Sequence, residues 1–527
     1  MKNILLQLTV TIALSVAISF GINAQPVLDN TFSGDGYLLT NSGGDDFARS
    51  VVIQSNGRIL TGGNSFGNYG YSDISITRTK ANGSPDNTFG TAGVTRIIGG
   101  FFCDMALTSS GKIIVAGSGV GPTNVNNFIV YRLTKNGVID NTFGNNGSAK
   151  VNMPGKNMIC YDVLIQPDGK ILLAGYADDG SGGHHNMIIA RLKANGSLDN
   201  SFATAGIFKF LPSNKSSECN QLALQPDGKI IACGHIDTLI VFSFFRYDIG
   251  ALRLNINGTL DNTFGTGGVV RADKGSSDIA SSVSVLTDGR IILGGSSNYL
   301  VNNRFTALCL LPDGSFDTSF GTGGWSFSDI YGSNAGCSAM VTEPDDDIIM
   351  AGLAYIYAGA SNQAIVLVKL LSNGSPDASF GDNGIDTSFY GTFTQGCSDI
   401  ALQTDNKIVI AGYRYVGMDG YFLTARYTNS VALAKQSAIP VDPDSQFNIY
   451  PNPNNGEFVV EVSNLLFDNT SITITNLMGQ VVYENKLSSV ENQMKQPVSL
   501  SVDVEDGIYF VTIRNGEKVI TKRMLIQ

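Results

Sequence analysis

"LDNTFGTGG", Leu260–Gly268, is one of seven near-identical phrases in this chain. Aligned on their aspartates, the phrases fall at Asp29, Asp86, Asp140, Asp199, Asp261, Asp317 and Asp377, with spacings of 57, 54, 59, 62, 56 and 60 residues. A period of that length marks a repeat architecture in which each unit is one supersecondary element. Within a phrase the aspartate can accept hydrogen bonds from the amides just after it. The trailing glycines supply positive φ at the entry to the next strand. A phenylalanine recurs in every copy (Phe32, Phe89, Phe143, Phe202, Phe264, Phe320 and Phe380) and is expected to be a buried anchor. A calcium loop needs five or more oxygens, and each copy offers a single carboxylate, so the phrase reads as a structural device.

Each unit carries a second landmark, a turn followed by an apolar run that closes on glycine. The best copies are "QPDGKILLAG" (Gln166–Gly175) and "QPDGKIIACG" (Gln225–Gly234). Asp-Gly between apolar runs is the strongest local hairpin signal, because a tight hairpin turn needs positive φ. A third landmark, as in "FIVYRLTKNGVID" (Phe128–Asp140), is a β-rich run and an Asn-Gly turn leading into the phrase. Four antiparallel strands per period, repeated seven times, predict an all-β, seven-bladed β-propeller. The repeat opens on a phrase, Leu28–Gly36, that lacks its three preceding strands. It ends on three strands, about Cys397–Tyr427, that lack a phrase. The N-terminal strand is therefore expected to complete the last blade and close the ring, removing an exposed sheet edge.

These motifs resemble the delta-60 repeat family, predicted propellers of bacterial surface and secreted proteins that share "D-x-[ST]-F-G-x-x-G" and "DGKILVAG"-like segments. The resemblance covers roughly residues 25–430 and implies the propeller fold without an established activity. WD and Asp-box signatures are absent. Kelch is a weaker match, because Gly62-Gly63 and Gly294-Gly295 fit it but a chain with one tryptophan, Trp325, does not.

Specific function is expected where the copies differ. Eight residues before the phrase aspartate stand Arg78, Arg132, Arg191 and Arg253, with Arg426 equivalent in the last unit and Cys309 and Lys369 replacing it in two others. An ion pair is the plain reading of these cations, and an anion-binding ring the alternative. The first strand carries Cys160, Cys219, Cys337 and Cys397, with Cys103 one residue nearer the turn and Ala48 and Ala280 in the remaining units. Free, buried thiols are expected, since equivalent positions on adjacent radial blades seldom bring Cα atoms within about 7 Å for a disulfide. The fourth unit has an apolar insertion, "HIDTLIVFSFFRYD" (His235–Asp248), read as extended strands or as a recognition patch. The sixth replaces its Gly-Lys turn by Glu343, Asp345, Asp346 and Asp347, a solvated turn or a cation site. The three histidines, His184, His185 and His235, lie in variable loops outside any catalytic signature. Asp162 and Asp399 sit on first strands that could face the axis.

The two ends carry an address. Lys2 followed by an apolar run, Ile4 to Phe20, and a small residue at Ala24 give signal-peptide anatomy, with cleavage expected between Ala24 and Gln25. No other segment is long and apolar enough to span a membrane, so none is expected in the mature chain. After a linker-like stretch, "FNIYPNPNNGEFVVEV" and the segments that follow predict a small antiparallel β-sandwich, Ig-like in form. This segment resembles the type A C-terminal sorting domain of the type IX secretion system. The resemblance rests on Pro451, Asn452, Pro453 and Gly456, on Gly479 in "LMGQ", on Gly507 and Tyr509, and on the basic last strand with Lys518. It implies handling by the type IX machinery and delivery to the outer-membrane exterior or the medium.

The expected organisation is a signal peptide (1–24), a propeller (25–429), a linker (430–446) and a sorting domain (447–527). With 45 Asp+Glu against 34 Lys+Arg the net charge is −11 and there is no basic stripe, which argues against nucleic acid as a partner. Seven cysteines, an odd number, imply no disulfide framework. No metal or cofactor is expected. The functional expectation is a non-catalytic binding or structural module for a surface glycan or protein. The alternative is a secreted carbohydrate-active hydrolase or lyase using carboxylates near the axis.

Overall fold

A computed structural model describes residues 28–429 and 446–526, apart from short stretches at 68–71, 121–125, 179–183, 213–214, 242–243, 276, 300–301, 357–362, 391–393, 464–469, 477–479, 488–492, 501–503, 505–506 and 516–517. The expected signal peptide with its Ala24–Gln25 junction, most of the linker, and Gly479 lie outside the described residues. Among the described residues every regular element is a strand and none is a helix. The chain divides into two compact units, Met1–Lys435 and Gln436–Gln527.

The first unit is a series of four-stranded antiparallel sheets, an arrangement consistent with a β-propeller. The first sheet runs Asp45–Ile53, Ile59–Phe66, Ser72–Thr79, Val94–Ile97, each strand pairing with the one before it. Five more sheets repeat this order over residues 101–151, 158–210, 217–272, 278–328 and 334–388. In the seventh, Gln395–Leu402, Ile408–Val416 and Asp419–Tyr427 are joined by Tyr37–Thr40 from the start of the chain, with Tyr37 opposite Ala425 and Thr40 opposite Phe422. The seventh sheet also packs against the strands of the first.

The apolar run of each second strand is continuous because both of its faces are covered. Leu172 and Ala174 face the fourth sheet, whereas Ile171 and Leu173 face the second. Burial on two sides removes the alternation a half-buried strand would show. Each first strand carries a β-bulge, for example between Cys160 and Asp162, that leaves one residue unpaired and re-aims it. The bulge also explains the offset of Cys103. Phe102, opposite Gly117, occupies the place that Cys160 holds opposite Gly175, so Cys103 is the bulged residue itself and matches Tyr161.

The second unit has a three-stranded sheet (Gln446–Tyr450, Glu457–Ser463, Gln493–Ser499) and a four-stranded sheet in the order Val481–Leu487, Thr470–Asn476, Gly507–Asn515, Lys518–Ile526. Its core gathers Phe458, Val460, Ile472, Ile474, Val511 and Ile513.

Candidate functional site

The phrase forms a latch between successive sheets. In all seven copies the aspartate Oδ1 accepts both the amide and the hydroxyl of the Thr or Ser two residues on, as Asp86 does from Thr88 at 3.2 and 2.7 Å. Its Oδ2 takes the arginine from the third strand, with Arg78 Nε–Asp86 at 2.8 Å, Arg191–Asp199 at 2.9 Å and Arg253–Asp261 at 2.7 Å. The same guanidinium covers the phrase phenylalanine, 4.9 Å from the Phe89 centroid. It then donates into the next sheet, Arg78 Nη1 to the Lys135 carbonyl at 2.7 Å.

The phenylalanines are buried, and six of them, Phe32 to Phe320, pack on the Asn-Gly or Asp-Gly turn of the following unit. Where arginine is missing, a neighbour substitutes. In the fifth unit Arg290, from the hairpin turn, reaches Asp317 (3.3 Å) and the Ser372 carbonyl (3.0 Å), while Cys309 lies beside Asp317. The guanidinium groups are thus spent on carboxylates and carbonyls.

In three units the residue after the bulge is an aspartate that joins neighbouring sheets near the inner strands. Asp399 Oδ2 accepts the Val51 amide at 2.7 Å, Asp104 Oδ2 that of Val163 at 3.2 Å, and Asp162 Oδ2 that of Leu222 at 2.9 Å. Asp162 and Asp399 thus come together with Asp104. Burial, then the Asp104 charge, pushes Asp162 well above the carboxylate range and Asp399 up to about 7. One step before the bulge, the thiols of Cys160, Cys219, Cys337 and Cys397 donate to the carbonyl just past it. All seven cysteines are free.

In the sixth unit, Glu343, Asp345 and Asp347 lie close enough to share a cation. Lys369 already stands 2.6 Å from Glu343 and 3.5 Å from Asp377. The fourth-unit insertion extends the hairpin of Ile230–Val241 and Phe244–Leu254 out to the pair Val241–Phe244. Its tip side chains, 238–245, lie outside the described residues.

A further cluster brings two of the three histidines together. His185, at the start of a third strand, stacks on Tyr176 with centroids 4.0 Å apart, and its Nδ1 lies 2.5 Å from Glu218 Oε1 in the next sheet. Tyr161, the bulged residue of the third sheet, is 37% exposed, lies 5.7 Å from Tyr176 and is close to Glu218. His235 packs edge-on to Tyr247, and its Nδ1, like Asp237 Oδ1, is buried without a hydrogen bond. The hydrogen bond from Glu218 raises the His185 pKa, whereas burial lowers that of His235.

The sequence does contain a signal for this cluster. The residue after the closing glycine of the second strand changes from unit to unit: Asn64, Ser118, Tyr176, His235, Ser296, Leu353, Tyr413. At the seventh unit Tyr413 and Tyr415 meet Phe47 of the first, with centroids 5.1 and 5.8 Å away, making a second aromatic group.

In the second unit, Asn452 Oδ1 accepts the Leu525 amide (2.9 Å) and the Asn454 amide donates to the Leu525 carbonyl (3.0 Å), fastening the Pro451–Pro453 turn to the last strand, which Lys518 opens. Gly456 takes φ +92°, and Gly507 opens the strand that buries Tyr509.

Residues 54–89, 108–143, 166–202, 225–264, 286–320 and 343–380 match the family described as a domain of unknown function (DUF5122) β-propeller. Residues 448–527 match the secretion system C-terminal sorting domain. The chain thus carries DUF5122 β-propeller repeats and a type IX C-terminal sorting domain, and that domain indicates export to the cell surface or secretion. No curated protein matches the sequence. Among solved structures, an α-L-arabinanase of Penicillium chrysogenum is similar at 8% identity and TM-score 0.40, covering 74% of this chain and 96% of that one. An endo-arabinanase of Bacillus licheniformis is similar at 13% identity and TM-score 0.30, covering 58% and 98%. PorZ, a surface component of the type IX secretion system of Porphyromonas gingivalis, is similar at 10% identity and TM-score 0.17, covering 93% and 100%. At these scores none of the three bears on what this chain does. Among the described residues no helix is long and apolar enough to cross a membrane.

Proposed function

We propose that this chain is an exported, non-catalytic binding module. Its signal peptide (1–24) is removed, residues 25–429 form a closed seven-bladed propeller, and a linker (430–446) leads to an Ig-like sorting sandwich (447–527). Closure is supported by the pairing of Tyr37–Thr40 with the last repeat strand and by the Asp399–Val51 hydrogen bond between the seventh and first sheets. The mature protein acts at the outer-membrane exterior or in the medium. Its ligand is a surface glycan or protein.

One observation carries the binding role. Every repeat keeps a cation on its phrase aspartate but varies the residue after the closing glycine, where Tyr176, His235 and Tyr413 gather exposed and half-buried aromatics with carboxylates. Rigid scaffolds with variable ends are where binding residues concentrate. The hydrolase alternative rests on the convergence of Asp104, Asp162 and Asp399, but each of those carboxylates holds a neighbouring amide.

The test is binding of residues 25–527 to glycan and cell-surface protein arrays, beside a polysaccharide-hydrolysis screen. A specific array signal without turnover supports the module. Turnover lost in Asp162→Asn would replace it by the hydrolase.

A further inference from the structure

The cluster between the third and fourth sheets has the features of a ligand site and no role in the latches. Tyr161 stands in a bulge, the one position of its strand with no partner opposite, and its ring, like the His185 imidazole, is open to solvent. Tyr176 sits behind it at a tilt of 52°, held by the parallel face of His185. Glu218 is 14% exposed at its side chain, takes His185 Nδ1 at 2.5 Å and lies close to Tyr161. Deeper still, His235 and Asp237, each 8% exposed, keep one polar atom apiece without a hydrogen bond. Buried polar atoms are nearly always paired, so two orphans beside an exposed aromatic mark a place where another molecule could complete the network.

The chemistry narrows that molecule. Glu218, Asp237 and Asp178 repel an anion. The guanidinium of Arg49, close to Tyr161, and the His185 imidazole on Glu218 offset the carboxylates that would otherwise select a cation. What remains is an uncharged molecule with an apolar face for the tyrosine ring and a rim of hydroxyl donors for the carboxylates. A sugar ring has both, its C–H bonds on one face and its hydroxyls around the edge. Few other uncharged groups match an aromatic wall with convergent carboxylate acceptors.

From this arrangement we infer that Tyr161, Tyr176 and Glu218 form a subsite for one ring of an uncharged glycan, with the tyrosine as platform and the carboxylate accepting hydroxyls. The inference rests on the binding-module proposal and names the substrate class and location within it.

The mature chain is tested against uncharged oligosaccharides of glucose, mannose, galactose and xylose by calorimetry. Imidazole NMR is run in parallel, since the chain has only three histidines, His184, His185 and His235. A binding sugar should shift the His185 resonance. Tyr161→Ala should weaken affinity about tenfold or more, while Tyr161→Phe, which keeps the ring face, should stay within about threefold. Tyr161 is exposed, so both variants should fold, and unchanged thermal unfolding verifies it. If a sugar binds with His185 silent and Tyr161→Ala intact, the subsite is wrong and the module stands. If none of these sugars binds, the subsite is likewise wrong, and the module then depends on a protein ligand from the surface-protein array.

Discussion

Arg426 Nε lies 2.9 Å from Asp29 Oδ2, an ion pair between residues 397 positions apart, with each side chain 5% exposed. Arg426 also donates to Thr31 (3.1 Å) and to the Ala81 carbonyl (2.5 Å), so one guanidinium ties the first phrase, the last strand and the first complete repeat. Removing one partner of a buried pair leaves an uncompensated charge, so Asp29→Ala should cost about 3–5 kcal/mol of unfolding free energy. Asp86→Ala, at the same place in the next phrase, should cost a similar amount in denaturant unfolding. A negligible cost for Asp29→Ala alone would detach the N-terminal phrase from the fold. Burial opposes ionisation of Asp29, but Thr31, Lys407 and Arg426 outweigh it and hold the carboxyl at about 2, against 3.8 ordinarily. A folded pKa below the unfolded one adds stability above pH 3.8 that is lost as pH falls toward 2. Wild type should lose this increment on acidification, and Asp29→Ala should not.

The phrase phenylalanine explains a glycine in the following repeat. A Cβ on Gly258, at φ +84°, would stand 2.6 Å from the Phe202 ring and 2.8 Å from the Ala203 amide nitrogen. Gly169 has nearly the same φ, +82°, but a Cβ there would meet only Ala194 at 3.5 Å. Gly169→Ala should therefore cost only the left-handed backbone, about 1 kcal/mol. Gly258→Ala should add an overpacking cost of roughly 1–3 kcal/mol. Equal losses in the two variants would show that the Phe202 contact imposes nothing on the turn.

The fold was legible because each unit states its turns and its anchor in the same order. The phrase, the Asn-Gly turn and the arginine eight residues before Asp86 are three parts of one latch, so a period alone brings them together. The unit built from residues 28–40 and 395–427 is outside the six matched segments, and its pieces lie at opposite ends of the chain. Arg290 was harder to read, because its role appears only once Cys309 has left Asp317 without an arginine. Asp104 was legible, since it stands seven residues before Gly111 as Asp162 stands seven before Gly169, but the cysteine beside it drew the reading instead. The His185–Glu218 contact joins side chains 33 residues apart in different sheets, a distance that depends on how the sheets lean together.

Asp399 makes the inner strands sensitive to pH. Burial, then the Asp104 charge, raises its carboxyl to about 7 from 3.8. The folded state thus binds a proton more tightly than the unfolded chain. The stabilisation is complete below pH 3.8 and is lost as pH rises through 7. Burial raises Asp104, and burial and then the Asp104 charge raise Asp162, so the three carboxyls titrate as a group. Asp399→Asn keeps an oxygen for the Val51 amide and removes the ionisation. Its thermal midpoint should fall less than that of wild type between pH 5 and 8, an interval on the order of that over which such a raised carboxyl ionises. Parallel curves would mean Asp399 is already ionised in the fold.

At position 347 the sixth unit has aspartate where others have a cation such as Lys112, Lys229 or Lys407, each paired with a phrase aspartate. Burial and the Asp345 charge push the Asp347 carboxyl up to about 6. Asp347→Lys would give Asp377 the partner its counterparts have. It should stabilise the protein by about 0.2–1 kcal/mol, the range for a largely exposed pair. A loss instead would show that the hydrogen bond Asp347 accepts from the Ser372 amide, at 3.0 Å, outweighs the charge.

Two imidazoles in one cluster should titrate apart. His185 faces Glu218, Asp237 and Asp178, and the Glu218 hydrogen bond raises it above 6.5. His235 faces Glu218, Asp237 and His185, and burial lowers it below 6.5 despite the two carboxylates. Glu218→Gln should bring His185 down toward its ordinary value and lower His235 further, because both lose the same negative charge. A raised folded pKa also means that the His185 contribution to stability is complete below pH 6.5 and fades as pH rises through the folded value. Wild type should accordingly lose more of its thermal midpoint than Glu218→Gln over that interval. Imidazole NMR titration reads each histidine separately. A His185 titration unmoved by Glu218→Gln would break the link between the two sheets at this site and remove the carboxylate from the proposed sugar contact.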